Sequence, residues 1–155
     1  MKSTFRRLQC GILAVAWLLA GCNSDVFIDR FLSAEPSVSL SETENDVIVC
    51  FEADNWDILG VESLREGVAV SATDLEGKNS KYLPFEEGET GIVYCKNAFL
   101  DFRVEKRNGS ELHFISGENL YDQQFETLVR VGNRYEEKVI RVSFSPTRKY
   151  QIDSV

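Results

Sequence analysis

Short runs of alternating apolar and polar residues follow one another from Pro36 onward. Examples are Val47-Ile48-Val49-Cys50-Phe51, Leu100-Asp101-Phe102-Arg103-Val104 and Ile140-Arg141-Val142-Ser143-Phe144. Turn-forming Gly, Asn and Asp residues separate the runs, and no helical period is sustained in this part of the chain. Strand-length alternation with regularly spaced turn signals predicts an all-β sandwich or barrel.

The turn at Asn108-Gly109 can be closed in two ways, which differ in strand register. A two-residue loop pairs Val104 with His113, whereas a three-residue loop pairs Val104 with Leu112. A shift of one residue moves every side chain of a strand to the other face of the sheet. We predict the three-residue loop, because it keeps the apolar residues of both strands on one face, and we expect Gly109 to be left-handed.

Trp56 has two competing interpretations. An aromatic side chain buries roughly 150–250 Å² in a core, and a flat indole face also suits the binding of a sugar ring. Trp56 closely follows a predicted strand and shares its alternation with Ile58. The pattern therefore predicts that Trp56 is buried.

The N-terminus has the organisation of a secretory signal. Lys2, Arg6 and Arg7 precede an apolar run from Cys10 to Ala20. This run is shorter than the roughly 20 apolar residues that a membrane-spanning helix needs. Basic residues, a short apolar run and small residues in that order predict a cleaved signal peptide over residues 1–21.

The stretch Leu18-Leu19-Ala20-Gly21-Cys22 resembles the lipobox of bacterial lipoproteins. The resemblance implies that Cys22 carries a diacylglyceryl group and becomes the first residue after cleavage. Two or three acyl chains give stable anchoring at about 0.8 kcal/mol per buried methylene. We therefore expect a signal peptide at 1–21, a lipidated tether at 22–35 and a β-sandwich domain with a short C-terminal tail at 36–155.

The expected location is the cell envelope, with the lipid anchor in the outer membrane. Asn23-Ser24-Asp25 offers one acidic residue where many bacteroidete surface lipoproteins carry an acidic run. The periplasmic and the exterior face of the membrane both stay open. The tether holds Phe27 and Phe31 at a helical spacing, and we expect it to dock onto the domain or the lipid surface.

The charge of the chain excludes one class of partner. The whole chain has 17 basic and 25 acidic residues and a net charge of -8. Residues 1–21 hold three basic and no acidic residues, so the processed chain has 14 against 25 and a net charge of -11. Nucleic-acid binding depends on neutralising phosphates. We therefore predict no nucleic-acid partner, and membrane contact through the lipid alone.

Two segments are similar to BACON-type domains, the bacteroidete-associated immunoglobulin-like modules. They are Asp54-Asn55-Trp56-Asp57-Ile58 and the stretch from Gly109 to Ile115 that is followed by Glu118-Asn119. The resemblance implies an immunoglobulin-like antiparallel sandwich of seven or eight strands. Members of that family are variously proposed to contact glycans or to act as spacers on larger proteins.

Two functions fit these features. The first is a non-enzymatic lipoprotein that acts as an interaction or spacer module, with an envelope protein as its partner. The alternative is a glycan-binding lipoprotein that serves a carbohydrate-uptake system through aromatic residues in loops. The candidate ligand-contacting residues are Tyr82, Phe85, Tyr121 and Tyr135.

Cysteine and histidine supply little further chemistry. Once Cys10 has left with the signal and Cys22 carries lipid, Cys50 and Cys95 remain. They either form a disulfide, which an exported compartment permits, or stay as half-buried free thiols. His113 is the only histidine, and no zinc-type spacing surrounds it. We predict no metal and no cofactor.

The acidic run Glu86-Glu87-Gly88-Glu89 is the remaining catalytic candidate. Glycoside hydrolysis needs two carboxyl groups at a set separation, and this run could supply them. A solvated acidic loop is the commoner role of such a run. We therefore predict that the protein is not an enzyme.

Overall fold

The computed structural model describes residues 31–32, 35–62 and 64–147. The predicted signal peptide, Cys22 and most of the tether lie outside the described residues, as does the C-terminal tail from residue 148. The described part contains ten strands: β1 (Ser37–Leu40), β2 (Asp46–Cys50), β3 (Asp57–Glu62), β4 (Ala69–Thr73), β5 (Ser80–Lys81), β6 (Gly91–Lys96), β7 (Leu100–Lys106), β8 (Glu111–Asn119), β9 (Phe125–Gly132) and β10 (Glu137–Phe144).

The strands form two sheets, so the all-β sandwich class is confirmed. The four-stranded sheet has the order β1-β10-β9-β3, and the six-stranded sheet has the order β2-β8-β7-β6-β4-β5. Only β1 and β10 pair in parallel among the described strands. The strand count exceeds the predicted seven or eight, partly because the polar loop after β4 contains the two-residue β5.

The core lies between the sheets and is built from alternate residues of the long strands. Phe102, Phe114 and Ile140 are no more than 1% exposed. Trp56 is completely buried, as predicted. Its ring stacks on Phe51 with centroids 3.7 Å apart and planes 13° apart. The indole is therefore a core side chain and offers no platform to a ligand.

The two described residues of the predicted tether pack onto the domain. Phe31 is 0% exposed and Leu32 is 7% exposed. The carbonyl of Phe31 accepts a hydrogen bond of 2.9 Å from the backbone N–H of Glu52, and its ring lies 6.3 Å from that of Phe51. The chain thus joins the sandwich at the end that holds Trp56.

The predicted register of the β7–β8 hairpin is wrong by two residues. Val104 pairs with Phe114 and Lys106 with Leu112, so neither sequence alternative is realised. A shift of two preserves the face of each side chain, and Leu112 and Phe114 are both buried as expected.

The expected left-handed Gly109 is also wrong. The glycines with positive φ in the described segments are Gly67, Gly77 and Gly88. Gly109 is needed for a different reason, since an added Cβ would lie closer than 3.0 Å to the Cβ of Asp54. This close approach, made by residues far apart in sequence, shapes the loop between the two strands.

The sequence offers Gly132-Asn133, between Val131 and a strand starting near Tyr135, as a tight hairpin turn, but the β9–β10 hairpin turns two residues later. Gly132 pairs with Glu137 in the ladder. The backbone N–H of Asn133 donates to the carbonyl of Glu136 at 2.9 Å. Arg134 and Tyr135 therefore occupy the tip.

Candidate functional site

A pocket opens at the end of the sandwich where Trp56 lies. Its volume is about 380 Å³, within the range of about 300–1,000 Å³ that is usual for small-molecule sites. The β9–β10 hairpin, the start of β3 and the loop before β6 form its walls. The lining residues are Asn55, Asp57, Leu59, Pro84, Phe85, Glu87, Gly132, Asn133, Arg134 and Tyr135.

Asn133 makes the hairpin wall rigid. Its side-chain oxygen accepts hydrogen bonds from the backbone N–H groups of Tyr135 at 2.9 Å and Glu136 at 3.0 Å. Its Nδ2 donates to the carbonyl of Asn55 at 2.8 Å. An Asn side chain that replaces backbone partners in this way is a common turn device. The contacts fix the tip of the hairpin against the start of β3.

Two of the four predicted aromatic residues line this pocket. Tyr135 is 56% exposed, whereas Phe85 is only 4% exposed and contributes an apolar wall. The backbone N–H of Phe85 donates to the carbonyl of Ile58 at 3.0 Å, which holds the loop against β3. The pocket thus combines one accessible aromatic face with an apolar floor.

The structure does not bring the other two aromatic candidates to this site. Tyr82 is 87% exposed and is not part of the lining. Tyr121 follows β8 at the opposite end of the sandwich, where its hydroxyl accepts a 2.7 Å hydrogen bond from Asn97. The ring of Phe99 is tilted by 35° to it, and the guanidinium of Arg65 lies 4.6 Å from its centroid. Both the hydroxyl group and the ring of Tyr121 are therefore already engaged in contacts within the domain.

A buried ion pair lies behind the pocket. Lys106 is 1% exposed, and its Nζ donates to Asp57 Oδ1 at 2.5 Å and to the carbonyl of Trp56 at 2.6 Å. The same ammonium lies 4.6 Å from the centroid of the Trp56 ring. Asp57 Oδ1 also accepts from the backbone N–H of Gly88 at 3.2 Å. The pair joins β3, β7 and the acidic loop into one unit.

The charges at the rim of the pocket are of opposite sign. The guanidinium of Arg134 lies 5.0 Å from the centroid of the Tyr135 ring, and no ion pair joins it to a carboxylate in the described part of the chain. Nearby cations are paired: Arg130 binds Glu62 and Glu137, whose hydrogen bonds raise its pKa, with the Glu137 bond contributing most. Arg134 is therefore the cation in the pocket lining that is available to a ligand.

One of the three carboxylates of the acidic loop is engaged by the fold. Glu89 forms an ion pair with Lys81, and it accepts the backbone N–H of Glu86 at 3.0 Å. These two hydrogen bonds hold the pKa of Glu89 below its usual value, and the bond from Lys81 has the larger effect. The side chains of Glu86 and Glu87 are exposed. Glu89 thus serves to fix the loop, and Glu87 forms part of the pocket rim.

The two remaining cysteines are free thiols, so the disulfide alternative is not realised. Cys50 is exposed on β2 and Cys95 is fully buried on β6. β8 and β7 lie between those strands, which places the strands roughly 14 Å apart at about 4.8 Å per strand. A disulfide needs Cα atoms within about 7 Å. Burial raises the pKa of the Cys95 thiol to about 12.

His113 is buried on the outer side of the six-stranded sheet. Its Nδ1 lies 3.2 Å from Asp46 Oδ1, and its Nε2 lies 3.6 Å from Glu111 Oε2. Within the described ranges, no group of three or more His, Cys, Asp or Glu side chains is arranged to hold a metal ion. The part of the chain that the structure describes also holds no helix that could serve as a membrane span.

Arg134, Asn133 and Leu59 are lining residues that the sequence pattern did not predict as candidates for the site. The Gly132-Asn133 turn signal located the hairpin, and its displaced tip is what brings Arg134 and Tyr135 to the rim. Comparisons of the chain with protein-family models, curated proteins and solved structures found no match.

Proposed function

We propose that the protein is a non-enzymatic, lipid-anchored module of the cell envelope that acts through interaction or spacing. The lipobox-like stretch before Cys22 motivates the anchor. The observation that carries the proposal is the docking of Phe31, which is fully buried against the core. Phe31 is nine positions after Cys22, and a fully extended chain of nine steps spans roughly 30 Å. A lipid on Cys22 would therefore hold the Trp56 end of the sandwich close to the membrane.

The test replaces the lipidated residue. Cys22→Ala should remove the protein from the detergent-extractable membrane fraction, either as an uncleaved precursor or as a soluble form. Cys10→Ala is the matched control, because Cys10 lies in the apolar run and should leave processing unchanged. A processed Cys22→Ala protein that still partitions with membranes would overturn the anchor.

The non-enzymatic part has its own test. Glu89 is engaged with Lys81, and Lys106 with Asp57, so these charged groups serve the fold. A panel of glycan, peptide and ester substrates should show no turnover. Turnover that disappears in Glu86→Gln or Glu87→Gln would contradict the proposal.

Glycan binding is the second candidate, and one feature favours it. Tyr135 presents an accessible ring beside Asn55 and Asn133 in a rigid pocket. An amphipathic ring next to polar side chains matches the alternating faces of a sugar. Tyr135→Ala should abolish retention on immobilised glycans, and the matched variant Tyr82→Ala should retain it. Equal loss in both variants, or in neither, would remove the pocket from this function.

A further inference from the structure

We propose that the pocket at the β9–β10 hairpin binds a single carboxylate-bearing sugar ring, a hexuronic acid unit of an acidic glycan, and that Arg134 receives the carboxylate. This inference rests on the glycan-binding candidate above and names its ligand class. It follows from three features of the pocket walls: a cation that pairs with no carboxylate of the described residues, an exposed ring and acidic side chains in the lining.

The unpaired cation is the first feature. The chain has more acidic than basic residues, and the cations nearest the hairpin tip bind carboxylates: Arg130 binds Glu137 and Lys138 binds Glu136. Arg134 instead packs beside Tyr135, at 5.0 Å from the ring centroid. A guanidinium that stacks on a ring keeps its in-plane donors for a planar anion, and it binds a carboxylate with two parallel hydrogen bonds.

The aromatic ring and the apolar floor are the second feature. Tyr135 is 56% exposed, while Leu59, Pro84 and Phe85 line the pocket below it. This surface suits the apolar C–H face of a pyranose ring. Asn133 holds the hairpin tip through three hydrogen bonds before any ligand arrives. Such preorganisation reduces the entropy that binding would otherwise cost.

The acidic part of the lining is the third feature. Glu87 is exposed on the loop before β6, which lines the pocket together with the hairpin, and Asp57 lies in the wall with Lys106 on its Oδ1. Carboxylates accept hydrogen bonds from hydroxyl groups, but they repel a second anionic group and disfavour an entirely apolar tail. Arg134 and Glu87 in the same lining therefore select a ligand that carries both a carboxylate and hydroxyl donors. A hexuronic acid has this combination on one ring.

The overall charge limits the length of the acidic ligand. The chain has a net charge of -8, and its field opposes the approach of a continuous polyanion. A local contact with Arg134 is less affected, because exposed charges beyond about 8 Å are screened at physiological ionic strength. An isolated or terminal uronic acid is thus favoured over a polyuronate run.

Binding can be measured by saturation-transfer NMR on the full-length protein in non-ionic detergent. The probes are the methyl glycosides of glucuronic, galacturonic, mannuronic and guluronic acid, their methyl esters and the parent neutral hexoses. At least one acid should bind at least tenfold more tightly than its own methyl ester and its parent hexose. Phenylalanine serves as a zwitterionic decoy that should not compete.

Variants locate the contact. Arg134→Gln should lose at least tenfold in affinity for that acid, and Arg134→Lys should lose less. Tyr135→Ala should abolish binding, whereas Tyr82→Ala should bind as the unsubstituted protein does. Arg134, Tyr135 and Tyr82 are all solvent-exposed, so all four variants should keep the urea midpoint of the parent.

The outcomes separate this inference from the glycan function. If neutral hexoses bind as well as the acids and Arg134→Gln has no effect, the acidic ligand is wrong and glycan binding stands. If no sugar binds, both fail. Binding of phenylalanine without any uronic acid would assign the pocket to zwitterions and overturn the inference.

Discussion

The indole Nε1 of Trp56 donates a 2.7 Å hydrogen bond to the backbone carbonyl of Gly109. This bond joins the start of β3 to the loop between β7 and β8, across 53 residues of sequence. The same indole stacks on Phe51 and lies under the ammonium of Lys106. One side chain therefore closes this end of the sandwich by packing, by hydrogen bonding and by a cation–π contact.

Substitutions of Trp56 should remove these contacts, and two different substitutions distinguish the free-energy cost of the lost packing from that of the lost hydrogen bond. Trp56→Ala should destabilise the domain by about 3–5 kcal/mol, because a large buried side chain leaves a cavity. Trp56→Phe keeps part of the packing but leaves the Gly109 carbonyl without its donor, at a cost of about 1–3 kcal/mol. Urea unfolding of a soluble chain beginning at Asn23 measures both changes.

The same chain provides a direct check on burial, since Trp56 is its only tryptophan. Its fluorescence should be blue-shifted and poorly quenched by iodide, and it should shift to the red on denaturation. Native emission that is already red and freely quenched would contradict the buried indole.

Gly109 should tolerate no side chain, because of contact with Asp54 and not because of its backbone angles. Gly109→Ala should cost about 1–3 kcal/mol, as overpacking commonly does. Asp54→Gly in the Gly109→Ala background should recover much of this loss, because it removes the Cβ that the new methyl group meets. Urea midpoints of the two single variants and the double variant form the test. Strictly additive effects would show that the two residues do not meet.

The β7–β8 hairpin shows what the sequence could and could not predict. Alternation has a period of two, so Leu112 and Phe114 could be assigned to the core from the sequence alone. The register also depends on how the loop is closed, and that is decided by Trp56 and Asp54, more than 50 residues away. A local turn rule has no access to such a contact.

The pocket likewise combines features that could be predicted from the sequence with features that only the fold provides. Tyr135 and Phe85 could be proposed singly as ligand-contacting residues because aromatic residues in loops often bind ligands. Their proximity depends on the fold, since β3 and the loop before β6 meet the hairpin only in the assembled sandwich. The significance of Arg134 could not be predicted either, because the sequence does not show which cations are paired.

The ion pair between Lys106 and Asp57 should be strongly coupled. Lys106→Met leaves a carboxylate largely buried without its cation, and Asp57→Asn leaves a buried ammonium without its anion. Removal of one member of a buried pair costs about 3–5 kcal/mol.

The double variant Lys106→Met/Asp57→Asn should cost clearly less than the two single variants together, as measured by urea unfolding. Lys96→Met, which breaks an exposed pair with Asp101, is the control and should change stability by less than about 1 kcal/mol. A double variant that costs the full sum would show no coupling.

The two free cysteines should differ sharply in reactivity. In a chain beginning at Asn23 only Cys50 and Cys95 remain, and burial raises the pKa of Cys95 to about 12. The thiolate is the reactive form, so iodoacetamide at pH 8 should add one alkyl group to the folded protein without reductant and two in urea. The folded Cys50→Ser variant should take up no alkyl group. A wild-type chain that resists alkylation in urea until it is reduced would reveal a disulfide instead.

Glu89 should make stability sensitive to acid. Its pKa is lowered in the folded protein from the usual 4.5, first by the hydrogen bond from Lys81 and then by the backbone N–H of Glu86. A carboxyl with a depressed folded pKa stabilises the protein fully above its unfolded pKa, and this contribution is lost as the pH falls through the folded value. Glu89→Gln should therefore lower the urea midpoint at pH 7, with the difference from the parent shrinking below pH 4.5. Glu87→Gln, which alters an exposed side chain two residues earlier, is the control and should leave the urea midpoint at pH 7 unchanged. If the Glu89→Gln difference persists undiminished at pH 3, the ion pair with Lys81 is not what stabilises the loop.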